Sequence, residues 1–170
     1  MTHISFVEKD GAPEEVRRIY DSIGNEGDVS NLLKALAHNP RGLEAVLSFH
    51  NELFPSFKLD PKLRVLAYIK TSALKNCGYC ARRFGALGRK VGLTEAHIDA
   101  LDHYAESGDY SELQKLVLRY TEDLTIKAET DSTVMKDLKT YLSDRELVEL
   151  NLTIGIAHLL NLFIKSFEIA

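Results

Sequence analysis

Residues 59–93 read LDPKLRVLAYIKTSALKNCGYCARRFGALGRKVGL, and the rest of the chain is interpreted outward from them. Asp60 before Pro61 is a capping residue followed by proline at the first helical position, which predicts a helix running to about Lys75. Asn76 and Gly78 then weaken helix continuity around Cys77. A break is expected there, with a new helix from about Tyr79 to Val91, closed by Gly92. Cys77 and Cys80 are the only cysteines of the chain and form one Cys-x-x-Cys motif. A staple this short closes almost no loop, so as a structural disulfide it would stabilise little. Reversible thiol–disulfide chemistry suits the spacing better.

The flanking sequence continues in helices. Pro13 with Glu14 and Glu15 opens one that runs to about Ile23, residues 24–28 form a loop, and Ser30 caps a short helix through His38. Pro40 starts another to roughly Phe54. Thr94 caps a short one to Leu101. Ser111 with Gln114 and Ser143 with Glu146 fit capping boxes, for helices over about Glu112–Ala128 and Asp144–Ile169, with Thr133–Tyr141 between them. Alternating strand patterns, linkers and repeats are absent, so the expectation is one all-α domain over residues 1–170. The last helix, at 26 residues and 1.5 Å per residue, would be about 39 Å long. Leu150, Leu152, Ile154, Ile156, Leu159, Leu160, Phe163 and Ile164 make it apolar over most of its circumference, which predicts cover by a second subunit.

Composition narrows the function classes. The 170 residues are 45% hydrophobic and 27% charged, with a formal net charge of −4. A general nucleic-acid binder is disfavoured, since such affinity rests on neutralising phosphates. Met1 to Gly11 has no basic region followed by an apolar run, and no 18-residue apolar stretch occurs, so neither a signal peptide nor a membrane anchor is expected and the cytoplasm is the predicted compartment. Between Lys58 and Lys90 stand nine basic residues and one acid, Asp60. Lys70, Lys75, Arg82, Arg83, Arg89 and Lys90 would therefore surround the cysteines with positive potential. Together with a helix N-terminus this favours thiolates. A zinc site needs two more cysteine or histidine ligands at short spacing, and the six histidines form no such pair. Two reduced cysteines packed as small hydrophobes are the plain alternative. Gly85, Gly88 and Gly92 follow no strand, so they read as close helix packing rather than a phosphate loop.

At these residues the sequence resembles the AhpD-like alkylhydroperoxidase and carboxymuconolactone decarboxylase family. The match runs through the quoted stretch, the leading segment VSNLLKALAHNP at 29–40 and the closing segment from Asn161 to Ile169. The resemblance implies an all-helical fold assembled as a homo-oligomer, trimer or hexamer. It implies reduction of a hydroperoxide substrate, with Cys80 peroxidatic and Cys77 resolving, regenerated by an external dithiol reductant without organic cofactor or metal. The family's relay glutamate falls on Val65 and its relay histidine on Phe84, so both proton-handling groups are missing. Tyr79 stands where the family often has histidine and is a candidate donor, with a packing aromatic as the alternative. His50, Glu52, His158 and Glu149 are further candidates from outside the motif. Loss of the relay also admits a redox-responsive or non-catalytic binding member. A decarboxylase or isomerase acting on a small lactone fits the complete cysteine pair less well.

Overall fold

The structure is a computed structural model that describes residues 2–23 and 29–169, and of residues 79–84 the backbone alone. The loop expected at 24–28 lies outside the described residues. The elements are α1 (Glu14–Ser22), α2 (Asn31–Leu36), α3 (Pro40–Ser48), α4 (Phe54–Ser56), α5 (Pro61–Leu74), α6 (Gly78–Lys90), α7 (Glu95–Asp99), α8 (Glu112–Lys127), α9 (Ser132–Leu138) and α10 (Asp144–Ser166). No strand occurs among the described residues, as the all-α reading expects.

The contacts divide the chain into two compact units, residues 1–56 with 164–170, and residues 57–163. In the first, Asn39 caps α3 by accepting from the Gly42 N–H, with Pro40 opening the helix. The helix predicted as continuous to Phe54 instead passes through a π-helical segment, Phe49–Leu53, before α4. There His50 packs edge-on against Phe49 and Phe54. Ser30 occupies the cap position of α2, but its side chain makes no capping bond.

The second unit is built on α5. The Asp60 carboxylate accepts from the Lys62 N–H at 2.6 Å, the cap the sequence predicts. Nine residues of α5, Leu63 and then Val65 through Ser72, are buried, which only a helix enclosed on nearly all sides can sustain. One core cluster joins Leu63 and Ala67 to Val117 of α8, Leu138 of α9 and Leu150 and Ile154 of α10. Another joins Val65, Leu66 and Ile69 to Leu93, Leu101, Tyr104 and Leu118. Gly88 allows α6 to lie close on α5, since a Cβ there would meet Leu93 Cδ1 at 3.1 Å and Ile69 Cδ1 at 3.4 Å. The close-packing reading of that glycine stands.

α10 ends at Ser166, three residues short of the expected limit. By length and hydropathy it could cross a bilayer, but 56% of its most apolar window is buried within the fold. Its exposed large apolar residues form one stripe, Val148, Leu152, Leu159 and Leu162, whose spacings of four, seven and three keep them on one side of the helix.

Candidate active site

The turn between α5 and α6 follows from three residues. α5 ends at Leu74 with Lys75 as its C-cap, and Asn76 adopts a left-handed backbone with φ of 52°. Asparagine is one of the few residues with a side chain that visit this region readily. The Asn76 N–H then bonds to Ala73 O and the Cys77 N–H to Ser72 O, both at 2.9 Å. This pair of bonds is the Schellman arrangement, which satisfies carbonyls left over at a helix end. The residue that closes α5 also begins α6, because Cys77 is its N-cap, with φ −94° and ψ 84° and no capping bond from the side chain. Cys77 is 3% exposed.

Cys80 stands on the third residue of α6, so both cysteines sit on its first turn, where unsatisfied backbone N–H groups favour negative charge. The side chains of Cys80 and Tyr79, and those of Arg82, Arg83 and Phe84, lie outside the described residues. The positive surround expected from the sequence is reduced in one respect. Lys70 turns away into the core, donating to Leu101 O at 3.2 Å with its ammonium 4.9 Å from the Tyr104 ring centre. Arg89 pairs at the surface with Glu95 at 2.8 Å. Lys75 stays at the turn, donating to Thr125 O at 3.1 Å.

Val65, at the relay glutamate's position, is 6% exposed within an apolar cluster. Glu149 is buried but already engaged: Oε2 accepts from the Lys58 and Leu59 N–H groups and Oε1 from Arg145 Nε, each at 2.8 Å. Burial alone would raise its pKa, but these bonds together outweigh that and hold it below the ordinary carboxylate value. A carboxylate so held stays ionised and anchors the segment that leads into α5. It is no proton donor. His50 and Glu52 belong to the first unit, where Glu52 accepts from Ser48 Oγ at 3.0 Å.

His158 has a different setting. Its Nε2 is hydrogen-bonded to Thr125 Oγ1 at 3.2 Å, on the residue whose carbonyl receives Lys75. Burial first, and the Lys75 ammonium second, push its pKa below the ordinary imidazole value. One turn further along α10, Asn161 donates Nδ2 to Ser72 Oγ at 3.3 Å. The sequence names His158 as a candidate, but Asn161, Ser72 and Thr125 carry no motif and emerge only from the packing of α5, α8 and α10. Among the described residues no three His, Cys, Asp or Glu side chains gather in a way that could hold a metal ion.

A model of the carboxymuconolactone decarboxylase family matches residues 40–123, a span containing the turn and both cysteines. No curated protein matches the sequence significantly. Among solved structures, a protein of unknown function from Agrobacterium tumefaciens, suggested to be the antioxidant defence protein AhpD, is 25% identical. It has a TM-score of 0.71 over 77% of this chain and 90% of that one. An uncharacterized peroxidase-related protein from Silicibacter sp. TM1040 is 21% identical, with a TM-score of 0.83 over 99% of this chain and 91% of that one. The debrominase Bmp8, as a cysteine-to-alanine variant with 2,3,4-tribromopyrrole, is 20% identical, with a TM-score of 0.79 over 100% of this chain and 93% of that one. These last two likenesses concern the fold.

Proposed function

The chain belongs to the carboxymuconolactone decarboxylase family, with an AhpD-like helical fold, and on that premise we propose that it is a thiol oxidoreductase that reduces hydroperoxides. The observation that carries the reading is the α5–α6 turn, which makes Cys77 the buried N-cap of α6 and sets Cys80 on the same first turn. The Cys80 thiolate attacks the peroxide, taking one oxygen as a sulfenic acid and releasing an alcohol. Cys77 then attacks the Cys80 sulfur, forming the disulfide and releasing water. Burial of Cys77 suits the resolving role, since its partner is an intramolecular sulfenic acid rather than a solute. An external dithiol returns both cysteines to thiols, and the cytoplasm is the compartment whose reducing poise sustains that return.

The working form is a homo-oligomer, trimer or hexamer. The exposed stripe of Val148, Leu152, Leu159 and Leu162 on α10 is the surface offered to a second copy. The buried Val65 favours a second reading, a redox-responsive family member with little peroxide turnover. General acid–base assistance is worth about 10²–10⁴ in rate, and this position supplies none. Peroxide consumption with a dithiol reductant separates the two. Turnover abolished by Cys80→Ser supports the peroxidase; native protein no faster than the uncatalysed reaction supports the sensor.

A further inference from the structure

The dithiol reading leaves a group of polar side chains beneath the turn without a role. Ser72, fully buried, holds the Cys77 N–H on its carbonyl and donates its hydroxyl to Tyr68 O at 2.9 Å. Asn161, 1% exposed, donates to that same hydroxyl oxygen. Its Oδ1 is buried and takes no hydrogen bond from a described residue. A buried acceptor of this kind calls for a donor. His158 lies three residues back along α10, on the same face, and it shares Thr125 with Lys75, two residues before Cys77. The polar neighbours of the Cys77 backbone thus lead to Asn161 through Ser72 and to His158 through Lys75 and Thr125. The charged group bearing on His158 is Lys75 of α5; Thr125 of α8 is uncharged.

The Cys77 thiol must give up its proton as the S–S bond forms, so the step needs a proton acceptor. Val65 and the ionised, fully engaged Glu149 cannot serve. We infer, on the reading that Cys77 resolves Cys80, that His158 is the proton-handling residue of that step, working through a water held on Asn161 Oδ1. The Cys77 thiol gives its proton by way of that water to the neutral imidazole. The thiolate displaces hydroxide from the Cys80 sulfenic acid, so an S–S bond forms as the S–O bond breaks. The imidazolium returns the proton to the hydroxide, which leaves as water, and the histidine ends as it began. No oxidant is consumed beyond the peroxide that made the sulfenic acid. Burial first, and the Lys75 charge second, keep the imidazole neutral and ready to accept.

The test uses the reduced full-length protein and an aromatic disulfide that releases a coloured thiolate, so peroxide turnover is not required. Attack by Cys80 gives a first colour phase, and closure by Cys77 gives a second. His158→Gln is expected to slow the second phase about 10²-fold near pH 7 while leaving the first unchanged. In the native protein the second-phase rate should rise with pH through an inflection below the ordinary imidazole value, and the variant should lack that inflection. Titration of the native His158 ring by proton NMR gives an independent check that needs no variant. A second phase with the native rate and pH profile in His158→Gln would overturn the inference and leave the dithiol cycle standing, as would a ring that titrates above the ordinary value. A native protein with no second phase would remove the dithiol cycle itself, and the inference with it.

Discussion

Placing a glutamate at residue 65 asks whether that position still belongs to the active site or has become core. Val65 is 6% exposed and packs with Leu66, Ile69, Leu93 and Leu101. Val65→Glu forfeits the burial of the valine, about 1.5 kcal/mol at the small end of the aliphatic range. It also inserts a carboxyl among apolar neighbours, about 1–3 kcal/mol more. The expected cost is about 2.5–4.5 kcal/mol, a large share of the roughly 5–15 kcal/mol that holds a domain together. Urea unfolding at pH 7, with Val65→Ala as the size control, measures it. The sign of the pH dependence provides a second reading. A buried carboxyl has a folded pKa above its unfolded one, so its stability contribution is present at low pH and is lost as pH rises. The variant should therefore lie closer to the native protein at pH 5 than at pH 7. A Val65→Glu protein within about 1 kcal/mol of native that also consumed peroxide faster would overturn the core assignment of residue 65 and place it at the reacting centre.

Three more expectations follow from the same structure. Glu149→Gln removes the charge received by two backbone N–H groups and Arg145, and should cost about 1–3 kcal/mol in urea unfolding. Because the folded pKa of Glu149 is depressed, its contribution is present above the unfolded carboxylate value and lost as pH falls through the folded one, so the variant should lose less than native protein on acidification. His158, also depressed, makes native stability fall as pH drops from above the ordinary imidazole value toward its folded value; thermal melts of His158→Gln should show a flatter dependence there. Leu159→Glu with Leu162→Glu puts charge on the exposed stripe of α10 and should dissociate the proposed oligomer in sedimentation without unfolding the chain, whereas an unchanged sedimentation coefficient would count against this stripe as an interface.

The helical plan was legible because its start signals are local. Asp60-Pro61, Thr94, Ser111 with Gln114 and Ser143 with Glu146 all make the capping bonds their types predict. The break at Asn76 was legible for the same reason. The π-helical run at Phe49–Leu53 was not, since its residues carry no punctuation and the extra residue per turn is a matter of tertiary fit. At the site, the two cysteines could be found from spacing alone. The inward turn of Lys70, the engagement of Glu149 and the conversion of residue 65 to core could not, because each depends on which neighbour another helix brings. Counting charge along the sequence placed Lys70 beside the cysteines, while the fold sends its ammonium to Leu101 O. Asn161 shows the same limit: a polar residue on an apolar helix acquires meaning only when Ser72 is found opposite.

In the proposed cycle Cys80 takes an oxygen from peroxide and Cys77 resolves it. Intact-mass measurement after one equivalent of peroxide, on the native protein and on Cys77→Ser, tests it most directly. The native protein should lose two hydrogens as the disulfide forms, and Cys77→Ser should gain one oxygen, located to Cys80. A native mass that does not change, or an oxygen found on Cys77 when Cys80 is replaced by serine and none on Cys80 in the converse variant, would contradict it.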